Sequence, residues 1–177
     1  PDENFLGAAP ECTLAVVKLK QAKQYLRDYY FIPEGVPCHQ ETDIILALRY
    51  LDLLAQKLKL PLVFCFALGT NAGGHVGALP CPLILNSYGS SINRIPVLGC
   101  GNEADKRHHY YYEIPDVYTN HTTEIRVGEG VTGFTMELWT SIPNVLSVSL
   151  TSPSGESTSR LSVRTNVRTS FQFLLEP

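Results

Sequence analysis

Residues 1–114 alternate short apolar runs with stretches in which hydrophobic side chains recur every three or four positions. The runs predict strands at residues 12–18, 62–67 and 95–100. The periodic stretches predict helices at residues 21–31, from an N-cap at Thr42 to just before Pro61, and at residues 82–88. This order predicts an α/β fold: a parallel sheet with right-handed crossovers and flanking helices. Because the last two runs are continuously apolar, we expect their strands to be buried on both faces.

Residues 115–177 show a different pattern, in which apolar and polar side chains alternate with a period of two. Five strands are predicted, at residues 122–127, 134–139, 146–151, 161–164 and 171–173. Composition changes at the same place, since all six lysines lie at or before Lys106 and the last aspartate is Asp116. We therefore predict two domains, residues 1–114 and 115–177, the second an antiparallel β segment that forms a sandwich or part of one.

Charge and hydropathy exclude several classes of protein. The 177 residues carry 14 Lys and Arg against 17 Asp and Glu, which excludes a disordered acidic tail and a strongly basic nucleic-acid binder. The longest apolar run, residues 60–68, is far shorter than the roughly 20 residues of a membrane span. The chain begins with Pro1 and without a signal-peptide pattern, so we expect a processed or excised piece of a longer protein.

The five cysteines are scattered and form no C-x-x-C pair. We expect reduced structural thiols, with Cys65 and Cys100 acting as small buried hydrophobes in their apolar runs. Metal ligands at short paired spacing are lacking, and so are the phosphate-binding patterns G-K-[ST] and G-x-G-x-x-G. We therefore predict neither a metal nor a cofactor.

Two glycine-rich loops follow the two buried strands, at residues 68–75 and 99–103. Ligands of open parallel sheets gather beyond the carboxyl ends of the strands, so both loops are candidates for a site. The amide of Asn102 could donate a hydrogen bond to an anion that develops on a reacting carbonyl. The alternative is that asparagine only tolerates a turn conformation there, and for the first loop a plain connecting role is equally open.

The remaining polar side chains of interest are assigned to structure. Adjacent histidines point to different faces, so His108 and His109 are expected to form hydrogen bonds and packing contacts rather than to bind one metal. For His75 we expect a hydrogen bond that fixes its loop. The aromatic run 110–112 and Trp139 leave open a stacking platform for a ligand such as a carbohydrate.

Three segments of the chain resemble motifs of subtilisin-like serine peptidases, in the order in which that family has them. The first match is to the family's G-x-A-P-x-A…V-K segment, which residues 5–11 (FLGAAPE) and 14–18 (LAVVK) resemble. The second is to S-L-G, which residues 67–69 (ALG) resemble. The third is to A-A-G-N-E/D, which residues 99–103 (GCGNE) resemble. The stretches VKLKQAKQYLRDYY, LGTNAGGH and GNEADKRHHY are especially similar to the clostridial spore-germination (Csp-type) subtilases. In that branch a jelly-roll domain interrupts the peptidase domain, which fits the β-rich second half. LTSPSG at 150–155 also resembles a phrase in the jelly-roll P-domains of kexin-like subtilases.

The resemblance implies a role for each matching residue. Asn102 would be the oxyanion-hole donor. One wall of a peptide cleft would be formed by Ala67, Leu68 and Gly69, and the opposite wall by Gly99, Cys100 and Gly101. Ala67 stands where the family has serine, a change that leaves a backbone contact possible. The family's D-[ST]-G, H-G-T and G-T-S-x-[AS] segments are missing from this sequence, so a peptidase triad would require residues outside it.

Three functions follow as hypotheses. In the first, the chain is an internal fragment of a serine endopeptidase that acts on a peptide or protein substrate and is inactive alone. In the second, it belongs to a pseudoprotease scaffold in germination signalling. In the third, it is an unrelated ligand-binding α/β domain with a β-sandwich. The resemblance implies a bacterial protein, cytoplasmic or spore-associated. Unpaired edges of a partial parallel sheet would favour a homodimer of the fragment.

Overall fold

The computed structural model describes residues 7–162 and 166–176. It divides the chain into two units, Pro1–Met136 and Glu137–Pro177. The first unit holds the helices α1 (Gln24–Tyr29), α2 (Glu41–Leu58) and α3 (Pro80–Gly89) and the strands β1 (Leu62–Phe66) and β2 (Arg94–Leu98). The second holds the short strands β3 (Ser147–Val148) and β4 (Leu161–Ser162). The domain boundary predicted at residue 114 stays a prediction.

Strands β1 and β2 pair in parallel, in a register that runs from Leu62 opposite Arg94 to Phe66 opposite Leu98. Since α3 lies between them in the chain, the predicted strand–helix–strand order of a parallel α/β sheet is confirmed here. Among the described residues the sheet has two strands, so each strand keeps one unpaired edge.

The core lies on one face of this sheet, where α2 and α3 pack. Its buried members are Leu48, Phe64, Cys81 and Leu85. The rings of Phe64 and Tyr88 lie 4.9 Å apart, which joins β1 to the end of α3. Two polar contacts fix α2 in place: Glu41 Oε1 accepts the backbone N–H of Cys81 at 2.8 Å, and Asp52 pairs with Arg94.

The expectation that both strands are buried on both faces was wrong. Phe64 is 2% exposed, whereas its neighbour Val63 is 58% exposed and Cys65 is also exposed. Ile95 and Val97 of β2 are exposed in the same alternating way. We call the exposed side chains Val63, Cys65, Ile95 and Val97 the bare sheet face. The described helices cover only the opposite face, so burial follows a period of two although the sequence is continuously apolar.

The predicted strand at residues 12–18 is also wrong, because this segment has no regular secondary structure. Leu14 and Val16 are largely exposed there. A β-branched composition favours an extended backbone, but a strand requires a hydrogen-bonded neighbour, and this segment pairs with neither β1 nor β2.

The two long helix predictions hold in place but differ at their ends. α1 ends at Tyr29 rather than at residue 31, because Phe31 adopts a left-handed φ of 53° and the N–H of Ile32 bonds back to the carbonyl of Arg27 at 2.9 Å. α2 has Gln40 rather than Thr42 as its N-cap. It ends at Leu58, before Pro61, because Lys59 is left-handed with φ 58°.

In the second half, antiparallel pairing is confirmed only on a small scale. β3 pairs with β4, and an isolated bridge joins Thr151 to Ser157. Residues 122–127, 134–139 and 171–173 form no strand, so those predictions were wrong, and residues 163–164 of another lie outside the described part. Alternating apolar and polar side chains predict which face of a strand is exposed to solvent, but they do not supply the partner strand that pairing needs.

Candidate functional site

The two predicted cleft walls begin at the same edge of the parallel sheet. Phe66 and Leu98 are partners in the register, so the chain leaves β1 into residues 67–69 and leaves β2 into residues 99–102 side by side. All seven of these residues are exposed. A Cβ added to Gly69, Gly99 or Gly101 would meet no atom within 4 Å. Space beside both backbones is therefore open.

Asn102 lies in the second of these segments, directly after Gly101. Gly101 has φ of 86°, a conformation that favours glycine, and Asn102 is not among the described residues with positive φ. The left-handed turn conformation that asparagine tolerates is therefore adopted by Gly101 and not by Asn102. The side chain of Asn102 is exposed at the carboxyl edge of the sheet.

A hydrogen-bonded cluster joins the two loops beside Asn102. Asn71 Nδ2 donates to Glu103 Oε2 at 2.7 Å, across 32 positions of sequence. His108 Nδ1 lies 3.3 Å from the same carboxylate oxygen and 3.3 Å from Asn71 Nδ2. We call Asn71, Glu103 and His108 the loop clamp. Sequence reasoning missed Asn71 and Glu103 as partners, although polar side chains in two loops that follow adjacent parallel strands were a usable signal.

The electrostatics of the loop clamp favour an ionised carboxylate. Hydrogen bonds from Asn71 and then His108 lower the pKa of Glu103 below its usual 4.5, and the positive charge of Lys106 acts in the same direction. His108 forms the kind of hydrogen bond that the sequence analysis expected of it.

Two more histidines of this region form ring contacts. The rings of His75 and His109 lie 4.4 Å apart, so His75 packs against another ring where we expected a hydrogen bond. His121 stacks on Tyr112 at 3.5 Å and bonds the hydroxyl of Tyr110 through Nε2 at 2.7 Å. One face of the Tyr112 ring is thus occupied by the protein itself.

Gly73 shows why the first loop is rich in glycine. It is buried with φ of 94°, and an added Cβ would collide with the side chain of Leu79. A side chain at this position would require Leu79 to move and would be strained at this φ, so the loop conformation favours glycine here.

The cysteines differ from expectation in their burial. All five thiols are free, but Cys65 and Cys100 are exposed, while Cys81 is the buried one. Cys65 lies on a strand and Cys100 in a loop, and the described helices cover neither position. Burial, followed by the negative charge of Glu41, raises the pKa of the Cys81 thiol. The described residues contain no group of three or more His, Cys, Asp or Glu side chains that could hold a metal ion.

None of the helices in the described part of the chain is both long enough and apolar enough to cross a bilayer. Comparisons with protein-family models, with curated proteins and with solved structures found no match to this chain.

Proposed function

We propose that this chain is part of a subtilisin-like serine endopeptidase and supplies the oxyanion-hole amide of Asn102 together with two walls of the substrate cleft. One observation carries the proposal: the parallel register of β1 and β2 brings residues 67–69 and 99–102 to one edge of the sheet. These are the segments that resemble the family's substrate-binding and oxyanion motifs. The catalytic Asp, His and Ser come from parts of the protein outside this chain.

In this mechanism the extended backbones of the two walls hold a peptide substrate. Residues 67–69 pair with it by main-chain hydrogen bonds, as an added strand does, while Gly99, Cys100 and Gly101 lie beside the side chain of the scissile residue. The open space beside the glycines supports a close approach of the substrate.

Asn102 then acts on the tetrahedral intermediate. Attack on the scissile carbonyl moves negative charge to its oxygen, and the Asn102 side-chain NH₂ donates a hydrogen bond to that oxyanion. A donor fixed by its loop before the reaction stabilises the transition state more than the substrate, which raises kcat. The exposure of Asn102 and the left-handed conformation of Gly101 support this role.

Residues 115–177 are part of an inserted jelly-roll domain in this proposal. The antiparallel pairing of β3 with β4 and the bridge at Thr151 support an antiparallel β arrangement. The LTSPSG segment at 150–155, which includes one end of that bridge, Thr151, carries the resemblance to jelly-roll P-domains.

The test uses the full-length protein that contains this chain. We expect a fluorophosphonate probe to label it covalently and a peptide substrate to be hydrolysed. Asn102→Ala should lower kcat by about 10²–10³-fold with little change in KM, the size of effect known for the oxyanion asparagine of subtilisin. The matched control is Asn86→Ala, which removes an exposed asparagine of α3 and should leave kcat unchanged.

Two outcomes would overturn the proposal. A full-length protein that is neither labelled nor hydrolytic fits the pseudoprotease scaffold instead. A hydrolytic protein whose kcat responds equally to Asn102→Ala and Asn86→Ala has its oxyanion donor elsewhere.

A further inference from the structure

The loop clamp lies next to the proposed oxyanion donor, and Glu103 is the residue directly after Asn102. Its partner Asn71 belongs to the loop that begins with the opposite cleft wall. The 2.7 Å bond between Asn71 Nδ2 and Glu103 Oε2 therefore ties together the two chain segments that flank the cleft.

We propose that Asn71 and Glu103 are positioning residues that fix the width of the cleft and the placement of the Asn102 amide. This inference rests on the proposed function. Each is proposed to act by holding a loop through the bond between Asn71 and Glu103. Misplacement of a catalytic group by about 1 Å can cost as much as 10²-fold in rate, so a single contact between the loops is enough to affect turnover.

His108 gives the clamp two hydrogen-bond arrangements. Its Nδ1 lies 3.3 Å from both Glu103 Oε2 and Asn71 Nδ2. When Nδ1 carries a proton it donates to Glu103, and when it does not it can accept the second N–H of Asn71. Both arrangements are compatible with the bond from Asn71 to Glu103, so the inference rests on these two residues.

The groups around Glu103 determine the pH range in which its carboxylate is ionised and binds Asn71 most strongly. Its own loop contributes His108 and Lys106, and Lys106 also pairs with Asp105 at 3.4 Å. The opposite loop contributes the neutral Asn71. Because the folded pKa of Glu103 lies below 4.5, the charge-assisted bond from Asn71 is at full strength above that pH, and it weakens to a neutral hydrogen bond as the pH falls through the folded value.

The clamp fixes geometry and contributes little to global stability. Glu103 and His108 are more than half exposed, and exposed ion pairs and hydrogen bonds are screened by water. Its loss should therefore loosen residues 99–103 without unfolding the core of the first unit. This difference separates a positioning role from a merely structural one.

The first arm of the test uses the chain as it stands, with Asn71→Ala, and with Asn86→Ala as the control. We expect Asn71→Ala to raise the titration midpoint of the Glu103 carboxyl, followed by carbon NMR, toward 4.5. We also expect the NMR order parameters of the backbone amides at residues 99–103 to fall, because the loop loses its side-chain tether to Asn71. Unchanged titration and order parameters would overturn the clamp itself.

The second arm measures kcat and KM in the full-length protein. Glu103→Ala should lower kcat about tenfold at constant KM, and Glu103→Gln, whose side-chain oxygen still accepts from Asn71, should recover most of the loss. Looser loops with an unchanged kcat would overturn the positioning role. A wild-type protein without peptidase activity would overturn the proposed function and the catalytic half of this inference, while the first arm still decides whether the clamp exists.

Discussion

Phe64 is the side chain on which the packing of the first unit depends most directly. It is 2% exposed and lies on β1, where it belongs to the same core cluster as Leu48 of α2 and packs against the ring of Tyr88 on α3. Phe64→Ala removes the ring and leaves a cavity that the neighbours fill only in part. Substitutions of this kind cost about 3–5 kcal/mol, of which the aromatic pair accounts for about 0.5–1.5 kcal/mol.

The loss is large for this unit, because few side chains are buried. The apolar residues that the described part of the chain buries are Ala22, Leu48, Ala55, Phe64, Cys81 and Leu85. A domain of ordinary size has a free energy of unfolding of about 5–15 kcal/mol, and a core this small places the unit near the low end. We therefore expect Phe64→Ala to lower the urea midpoint by about 2 M or to prevent folding.

The assay is urea unfolding followed by far-UV circular dichroism, because α1, α2 and α3 all belong to the first unit. Fluorescence of the single tryptophan, Trp139, reports on the second unit instead. The matched control is Val63→Ala, at a neighbouring position of β1 that is 58% exposed, and it should cost less than about 1 kcal/mol. Equal losses for the two variants would refute the one-sided packing of the sheet.

Three further predictions concern other parts of the first unit. The bare sheet face and the unpaired edges should make the isolated 19.6 kDa chain self-associate as its concentration rises, and Val97→Lys should reduce the mass measured by light scattering. Asp52→Asn should lower the free energy of unfolding by about 1–2 kcal/mol in urea titrations, because Arg94 donates to that carboxylate at 2.5 Å with the two side chains 11% and 16% exposed. In the native chain, iodoacetamide should alkylate the exposed Cys12 at least about tenfold faster than the buried Cys81, whose pKa is raised, as measured by peptide mass spectrometry.

Each of these predictions has an outcome that contradicts it. A monomeric mass at every concentration, or an equal effect of Val117→Lys in an exposed loop, would count against association through the sheet. An equal cost for Asp105→Asn, whose side chain is 76% exposed, would mean that burial of the ion pair contributes nothing. Equal alkylation rates at the two cysteines would mean that the packing around Cys81 opens readily.

The sequence predicts the centre of the first unit well, because its signals there are local and strong. The apolar stripe through α2 and the run that becomes β1 identify their elements without reference to the rest of the chain. Their ends are less predictable, since the end of α1 depends on a left-handed Phe31, a residue type that rarely takes this conformation.

Contacts between distant residues could not be predicted from local patterns. The bond from Asn71 to Glu103 joins residues 32 positions apart in two loops, and no periodicity in the sequence encodes that contact. The strands expected at residues 122–127 and 134–139 failed for the complementary reason, since a pattern of alternation does not specify a neighbouring strand. The oxyanion and cleft roles stay predictions, while the place of their segments at one sheet edge follows from the register.

The bare sheet face carries a free thiol whose reactivity reports on whether that face is covered. Cys65 sits in the middle of β1 on that face, opposite Val97 in the register, and its thiol is exposed. Whatever packs on these strands, whether another part of the full-length protein or a second copy, must shield this sulfur from a maleimide dye. The rate of labelling at one atom would thus report, in real time, when the uncovered half of the sheet acquires its second layer.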